Sequence, residues 1–441
     1  MRKLADRLLK SKLIWNVISL YGVQACRKII PLIAIPYLAR VLGPAGWGNV
    51  AFVQSMGDFM TLVIEFGFGM SATREIARRR DDPSVCGEIM AGTLGAQFFL
   101  SILGVTCALI AATQVPLLRD HPRLLYAGIA YGLAQGVAPI WYFQGIERMD
   151  LAAGLEISAK VLGLAGILAF VHGTQDEWKV LFFQALSPTL ACVVGLILAY
   201  RRVPFRLPNL RLIRSSFQLG WPMFLMRSGI ALYSSANVLI LGLFAPPAAV
   251  GYFASVEKIG KAITGLLQPI RDALYPRLSH ITIHSPERAQ RLTRVGIVVA
   301  GTAGLFLSIT TFFAAPYLVN ILLGKGFDPA IVALRVFALL PVVVAFTESI
   351  GLQSLLPAGK ERIVNKVILM GGAFNIGVAF LLAPRFQQTG MSIAVVATES
   401  VVCCALVFIV FRTTTLFRKS PPGTPSSPVS ESLVYQPHDK A

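Results

Sequence analysis

Arg27 and Lys28 stand side by side inside Leu13 to Ile35, an otherwise apolar run of the ~20-residue length that crosses a bilayer. Adjacent cations at membrane depth are costly, so they need a paired or watery interior position, and an anionic cargo is the chemistry they suit. Tyr21, Gln24 and Lys28 are spaced three and four apart, on one helix face with Arg27 beside it. The competing reading pairs the two cations with acids of a neighbouring span, such as Asp58 and Glu65.

Other polar residues inside apolar stretches extend the pattern. Arg227 lies near the start of one such stretch and is followed by Tyr233 and Asn237 four apart. It can bind a phosphate bidentately from the mouth of a cavity or run its head out to lipid headgroups. Glu257 and Lys261 have the favourable i, i+4 order, which leaves Lys258 as the unpaired cation of that stretch. The intramembrane carboxylates are Asp58, Glu65, Glu156, Glu257, Glu348 and Glu399. Asp58, Glu65 and Glu348 are the candidates for proton or cation coupling, with pairing to Arg27 or Arg335 as the structural alternative. Glu156 and Lys160, four apart, are expected to pair with each other. No Cys/His cluster has metal-ligand spacing, and no GxxxxGK[ST] phosphate loop occurs. No cofactor, metal or catalytic constellation is expected.

The elements that must position these residues are membrane helices. Hydrophobic residues make up 55% of the 441 positions and charged ones 14%, with mean hydropathy +0.66, too apolar for a soluble domain set. The expected fold is an all-α polytopic membrane protein of about twelve transmembrane helices, in two bundles of six around a central cavity. The spans fall at 13–36, 46–69, 88–112, 124–145, 151–172 and 178–200, then 217–242, 248–275, 293–323, 331–357, 364–383 and 389–411. The first apolar run is long and lacks an early cleavage site, so it is expected to remain as a helix. Residues 1–12 read as a basic cytoplasmic leader, 13–200 as the first bundle, 201–216 as a basic cytoplasmic linker, 217–411 as the second bundle and 412–441 as a disordered cytoplasmic tail.

With those spans drawn, 27 of the 40 Lys and Arg fall on the side of the N-terminus and six on the opposite side. That asymmetry places both termini in the cytoplasm. The net charge of +18 is therefore topology signal, suited to anionic membrane lipids, and requires no nucleic acid. A faint repeat supports two halves of like topology: at an offset of 203, Pro44 meets Pro247, Gly48 meets Gly251, Ala51 meets Ala254 and Gly57 meets Gly260.

Ile29 to Phe52 (IIPLIAIPYLARVLGPAGWGNVAF), Glu65 to Arg80 (EFGFGMSATREIARRR) and Pro139 to Met149 (PIWYFQGIERM) resemble the signature stretches of Wzx-type polysaccharide flippases. In the second half LGWPMFL (Leu219 to Leu225), VGYFASVEKIGKAI (Val250 to Ile263) and ALYPRLS (Ala273 to Ser279) are similar to the corresponding segments. The resemblance implies membership of the multidrug/oligosaccharidyl-lipid/polysaccharide exporter superfamily, whose two six-helix bundles enclose a cavity that opens alternately to either side. It implies a cargo of undecaprenyl-pyrophosphate-linked glycan, moved to the outer leaflet of a bacterial inner membrane for O-antigen or exopolysaccharide synthesis. The pathway's polysaccharide polymerase and glycosyltransferases are the implied partners. Mapped by position, Gln24, Arg27, Lys28, Arg227, Asn237, Lys258 and Lys261 are the candidate substrate-binding residues. The alternative is a cation-coupled multidrug exporter of the same superfamily, which calls for an acid-dominated cavity. A membrane-embedded polymerase or ligase is disfavoured, because no segment outside the spans is long enough to form a catalytic loop.

Overall fold

The computed structural model describes residues 2–234, 236–270, 272, 286–356 and 359–413. The side chains at 2–29, 31, 32, 230, 232–234, 286–290, 352 and 413 lie outside the described residues, as does the expected tail from 414 onward. The described chain is helices and short turns, without a strand. Lipid offers backbone groups no partner, and helices satisfy theirs internally.

Helix α1 (Arg2–Glu65) is two arms folded on Gly43, whose φ of 66° and ψ of 178° suit a residue lacking a Cβ. Pro44 then opens the second arm, where a missing N–H costs nothing. The first half continues with α2 (Phe68–Arg78), α3 (Pro83–Gln114), α4 (Pro116–Asp120), α5 (Pro122–Val137), α6 (Ile140–Gly145), α7 (Met149–Phe170) and α8 (Glu177–Tyr200). The second half contains α9 (Leu210–Ser234), α10 (Ala236–Phe244), α11 (Pro247–Thr264), α12 (Pro286–Leu322), α13 (Pro329–Phe337), α14 (Leu340–Phe346) and α15 (Glu361–Thr413). α15 is again two arms, bent at Gln387 (φ 47°). Among the described residues, eight helical stretches are long and apolar enough to cross a membrane, including 33–78, which takes in the second arm of α1 and α2, and 361–412 of α15. The seventh and eighth expected spans (217–242, 248–275) fall on α9 to α11, which are not among the eight stretches; the side chains of most of the first (13–36), and the ends of 248–275 and 331–357, lie outside the described residues. α9 begins seven residues before its span, so the connection after α8 is shorter than 201–216.

Large apolar side chains such as Phe98, Phe99, Ile102, Phe306 and Phe313 on α3 and α12 are exposed, as lipid-facing surface requires. The continuous buried core includes Trp47, Phe52, Tyr142, Phe143, Phe253 and Phe327. α1 packs on α5 and α7 within its own half and on α11 of the other, while α9 packs on α2 and α3.

The two halves therefore meet at both ends. Beside the Gly43 fold, a Cβ at Gly48 would fall on the carbonyl oxygen of Pro247, and one at Gly251 on that of Pro44. These are the residues equated by the repeat, so the contact is reciprocal about a pseudo-two-fold axis. The indole Nε1 of Trp47 donates a buried 3.0 Å hydrogen bond to Ser255 Oγ just inside it. At the far end of the second arm, Phe66 (φ 43°) and Gly67 (φ 75°) turn the chain into α2. Phe66 stacks on Phe224 with centroids 4.5 Å apart and meets Phe217 edge-on at 5.1 Å. Gly67 is needed there because Met223 Cβ and Phe224 N press within 2.6 and 2.8 Å of where its Cβ would sit.

Candidate functional site

Two adjoining cavities lie between these two contacts. The first, 330 Å³, is walled by both arms of α1 (Ile30, Ala34, Leu38; Trp47, Gln54, Asp58), by α5, α7 and α8, and by Lys258 of α11. Its polar groups form a short network. Lys258 Nζ donates to Gln54 Oε1 at 3.3 Å and sits 4.3 Å above the Trp47 ring, a cation–π contact. Gln54 in turn donates to Gln184 Oε1 at 2.8 Å, and Tyr131 donates its hydroxyl proton to Asp58 Oδ1 at 2.7 Å. Lys258 has no ion pair within 4 Å among the described residues, and Asp58 attracts it across the cavity.

The second cavity, 390 Å³, runs from the shared wall toward the end of the second α1 arm. It is lined by Glu65, by Trp141 and Gln144 of α6, by Glu156 and Lys160 of α7 and by Arg227 of α9. Arg227 forms an ion pair with Glu65 that ties the two halves together. Gln135, Ala159, Lys160 and Pro188 wall both cavities, so the two adjoin there. Pro188 lies inside α8 and cannot donate to the helix ladder there.

The candidate residues sort clearly against this geometry. Lys258 and Asp58 wall the first cavity, and Arg227 and Glu65 the second. Gln24, Arg27 and Lys28 are in the first arm of α1, their side chains outside the described residues; Ile30, three residues after Arg27, walls the first cavity. Lys261 is paired with Glu257 at 3.0 Å, as its spacing implied, and its side chain is 57% exposed; it walls neither cavity. Asn237 is buried in α10 and walls neither. Glu348 sits in a π-helical turn, Thr347–Leu352, also away from both. The residues that sequence reasoning missed are Trp47, Gln54, Tyr131, Gln184, Trp141 and Lys160. Gln54 and Gln184 had a usable signal, a side-chain amide in an apolar span. No local pattern marked the aromatic residues. Lys160 had been assigned to Glu156, yet it has neither an ion pair nor a hydrogen bond among the described residues.

No group of three or more His, Cys, Asp or Glu capable of holding a metal occurs among the described residues. The arrangement is a pair of polar-lined cavities inside an apolar bundle, with cations contributed by both halves. Residues 13–282 match the family described as polysaccharide biosynthesis protein. The chain belongs to that family. The "Putative O-antigen transporter" of Escherichia coli (strain K12) is 27% identical over 400 residues, covering 90% of this chain and 96% of its own. A protein of the same name from Shigella dysenteriae is 26% identical over 393 residues, covering 87% and 96%. Among solved structures, an inward-facing multidrug resistance MATE family transporter of the MOP superfamily superposes with a TM-score of 0.67 at 16% identity, covering 92% of this chain and all of that one. The lipid II flippase MurJ, in an inward closed conformation, gives 0.66 at 11% identity over 90% and 87%. At those identities the likeness establishes the fold alone. The family member described here is a multi-pass membrane transporter, not an enzyme.

Proposed function

We infer that this family member is a flippase for undecaprenyl-pyrophosphate-linked oligosaccharide repeat units. It moves them from the cytoplasmic to the periplasmic leaflet of a bacterial inner membrane by alternating access, for O-antigen or exopolysaccharide assembly. The observation that carries the reading is Lys258, a lysine with no ion pair within 4 Å among the described residues, held by Gln54 and the Trp47 face in a cavity between the halves. An intramembrane ammonium of this kind is retained where an anionic group must be received. A sugar pyrophosphate cannot cross hydrocarbon unaided because its charges and hydroxyls lose their water. Gln54, Gln135, Gln184 and Tyr131 replace that water, while a polyprenyl chain stays in lipid. In this reading the two termini are cytoplasmic, Arg27 and Lys28 add positive charge to the first cavity, and Asp58 is the coupling carboxylate. The polymerase and glycosyltransferases of the pathway act on either side of the step.

The test is deletion of the gene in its host, followed by measurement of surface polysaccharide and of the sidedness of polyprenyl-linked sugar. Complete repeat units trapped in the cytoplasmic leaflet with loss of surface polymer is the expected result. Units that reach the outer leaflet but stay unpolymerised would place the protein after translocation and overturn the reading.

A further inference from the structure

The connection between the halves is basic and apolar at once. Residues 201–214 carry five arginines and no acid, yet Phe205, Leu207 and Leu210 in the same stretch are 67%, 76% and 80% exposed. The stretch is nevertheless pinned against the start of α3. A Cβ on Gly87 would come 2.6 Å from the carbonyl oxygen of Pro204, one on Gly92 2.8 Å from that of Leu212, and one on Gly95 2.7 Å from Pro208 Cβ. Val203 and Ile213 are buried. Arg206 donates to Ser84 Oγ at 3.0 Å, and Asn209 Oδ1 accepts from the backbone N–H of Leu212 at 2.9 Å, fixing the start of α9. The exposed apolar side chains therefore stand on a strap that is fastened from behind.

Its level in the molecule says what covers it. Gly87 to Gly95 straddles the point where α3 passes from its first turn into its apolar stretch, whose exposed Phe98 and Phe99 face lipid. Docked there, Phe205, Leu207 and Leu210 lie at the boundary between headgroups and acyl chains, where apolar surface is favoured rather than costly. Arg201, Arg202, Arg211 and Arg214 are exposed as well. Arginine at such a boundary lays its stem on apolar surface and reaches phosphate with its planar fork. Each one near an anionic surface strengthens attachment about fivefold. We propose that 201–214 is a docking surface for anionic phospholipid: Phe205, Leu207 and Leu210 enter the acyl boundary while Arg201, Arg202, Arg211 and Arg214 gather headgroup phosphates around them. The interleaving of apolar and basic side chains, level with the lipid-facing part of α3, suits a bilayer surface better than an acidic protein. The strap leads directly into α9, whose Phe217 and Phe224 pack on Phe66, so bound lipid steadies the base of the helix that joins the halves at this end. The assignment is independent of what the protein carries.

The experiment is fluorescence quenching of the full-length F205W protein in liposomes of phosphatidylcholine containing brominated phosphatidylglycerol or, at equal mole fraction, brominated phosphatidylcholine. The parent protein supplies the background of its five native tryptophans. The added emission should be quenched at least about twofold more by the anionic lipid. That preference should fall to parity in R201Q+R202Q+R211Q+R214Q, with quenching by phosphatidylcholine retained. F98W, on the lipid-facing surface of α3, should be quenched equally by both lipids. The double variants R201Q+R202Q and R211Q+R214Q carry the same test, each reducing the preference, should the quadruple variant fail to fold. Absence of quenching at F205W by either lipid would put the strap in water and overturn the proposal. Equal quenching by both lipids, or a preference that survives loss of the arginines, overturns the headgroup assignment. Relief of the phosphatidylglycerol quenching by undecaprenyl pyrophosphate at equal mole fraction would assign the surface to a cargo lipid instead. None of these outcomes bears on the flippase reading except the last, which would support it.

Discussion

Gly48→Val should drive open the end of the molecule at which Gly48 and Gly251 meet. A Cβ on Gly48 would land on the carbonyl oxygen of Pro247 and 2.9 Å from the backbone nitrogen of Gly251. Neither neighbour is the tip of a flexible side chain; both are backbone at the start of α11, so α1 and α11 must part. Overpacking of this kind costs about 2 kcal/mol. The cost falls on the state with this end closed and vanishes where the halves separate, so the ratio of the two states shifts roughly 30-fold. A single cysteine placed at Gln54, in a background with the native cysteines removed, reports the change through its labelling by a membrane-impermeant maleimide added from the outside. Labelling should accelerate toward that factor in Gly48→Val and, by the reciprocal contact with Pro44, in Gly251→Val. Gly154→Ala is the control, since nothing lies within 4 Å of its added Cβ. Unchanged outside labelling in a folded Gly48→Val protein would refute the argument that this contact closes the cavity.

Other perturbations separate the roles of neighbouring charges. Lys258→Gln should abolish complementation of a deletion strain, whereas Lys261→Gln, which removes an exposed lysine paired with Glu257, should leave surface polymer within about twofold; equal loss in both would remove Lys258 from the site. Glu65→Lys and Arg227→Glu should each lower transport, and the double reversal should restore it, with a coupling of about 1 kcal/mol for this partly exposed pair; a double variant no better than the singles refutes the tie between halves. Glu177 accepts from Asn49 Nδ2 at 3.0 Å and pairs with His121 Nδ1 at 2.6 Å, so Glu177→Ala should destabilise the folded protein by about 2 kcal/mol, read as a lowered unfolding temperature in detergent. Arg27→Ala combined with Lys28→Ala should eliminate surface polysaccharide while protein level is retained; normal polysaccharide would reject their part in the passage.

Hydropathy made the helices legible because every membrane-spanning backbone must be satisfied within its own element. The fold of α1 was visible too, since Gly43-Pro44 interrupts the apolar run at the expected loop. The turn at Phe66 and Gly67 was not. Its cause is the approach of α9 to within 2.6–3.0 Å of where a Cβ on Gly67 would sit, a tertiary contact with no local signature. The repeat equated Pro44 with Pro247 and Gly48 with Gly251, but sameness of sequence does not reveal contact. Lys160 exposes the limit of spacing rules. An i, i+4 pair with Glu156 is worth about 0.2–0.5 kcal/mol, too little to hold a lysine whose alternative is a polar cavity. Lys261 obeyed the same rule, with its side chain largely exposed.

The division of labour between the halves bears on mechanism. Walls and amides come from α1, α5, α6, α7 and α8 of the first half, while Arg227 and Lys258 are supplied by α9 and α11 of the second. An anion seated in the passage therefore touches both halves at once, and separating them at either end moves a cation relative to the walls. A ligand shifts such an equilibrium only by its difference in affinity for the two states. Lys258 lies on the helix that also carries Gly251, and Trp47, which stacks on Lys258, donates to Ser255 beside the same closed end. In the proposed reading, charge recognition and closure thus share one pair of helices, α1 and α11. An anion that draws Lys258 away from Gln54 and the Trp47 ring loosens the contacts that hold this end shut, which is the direction a transporter needs when its cargo has arrived.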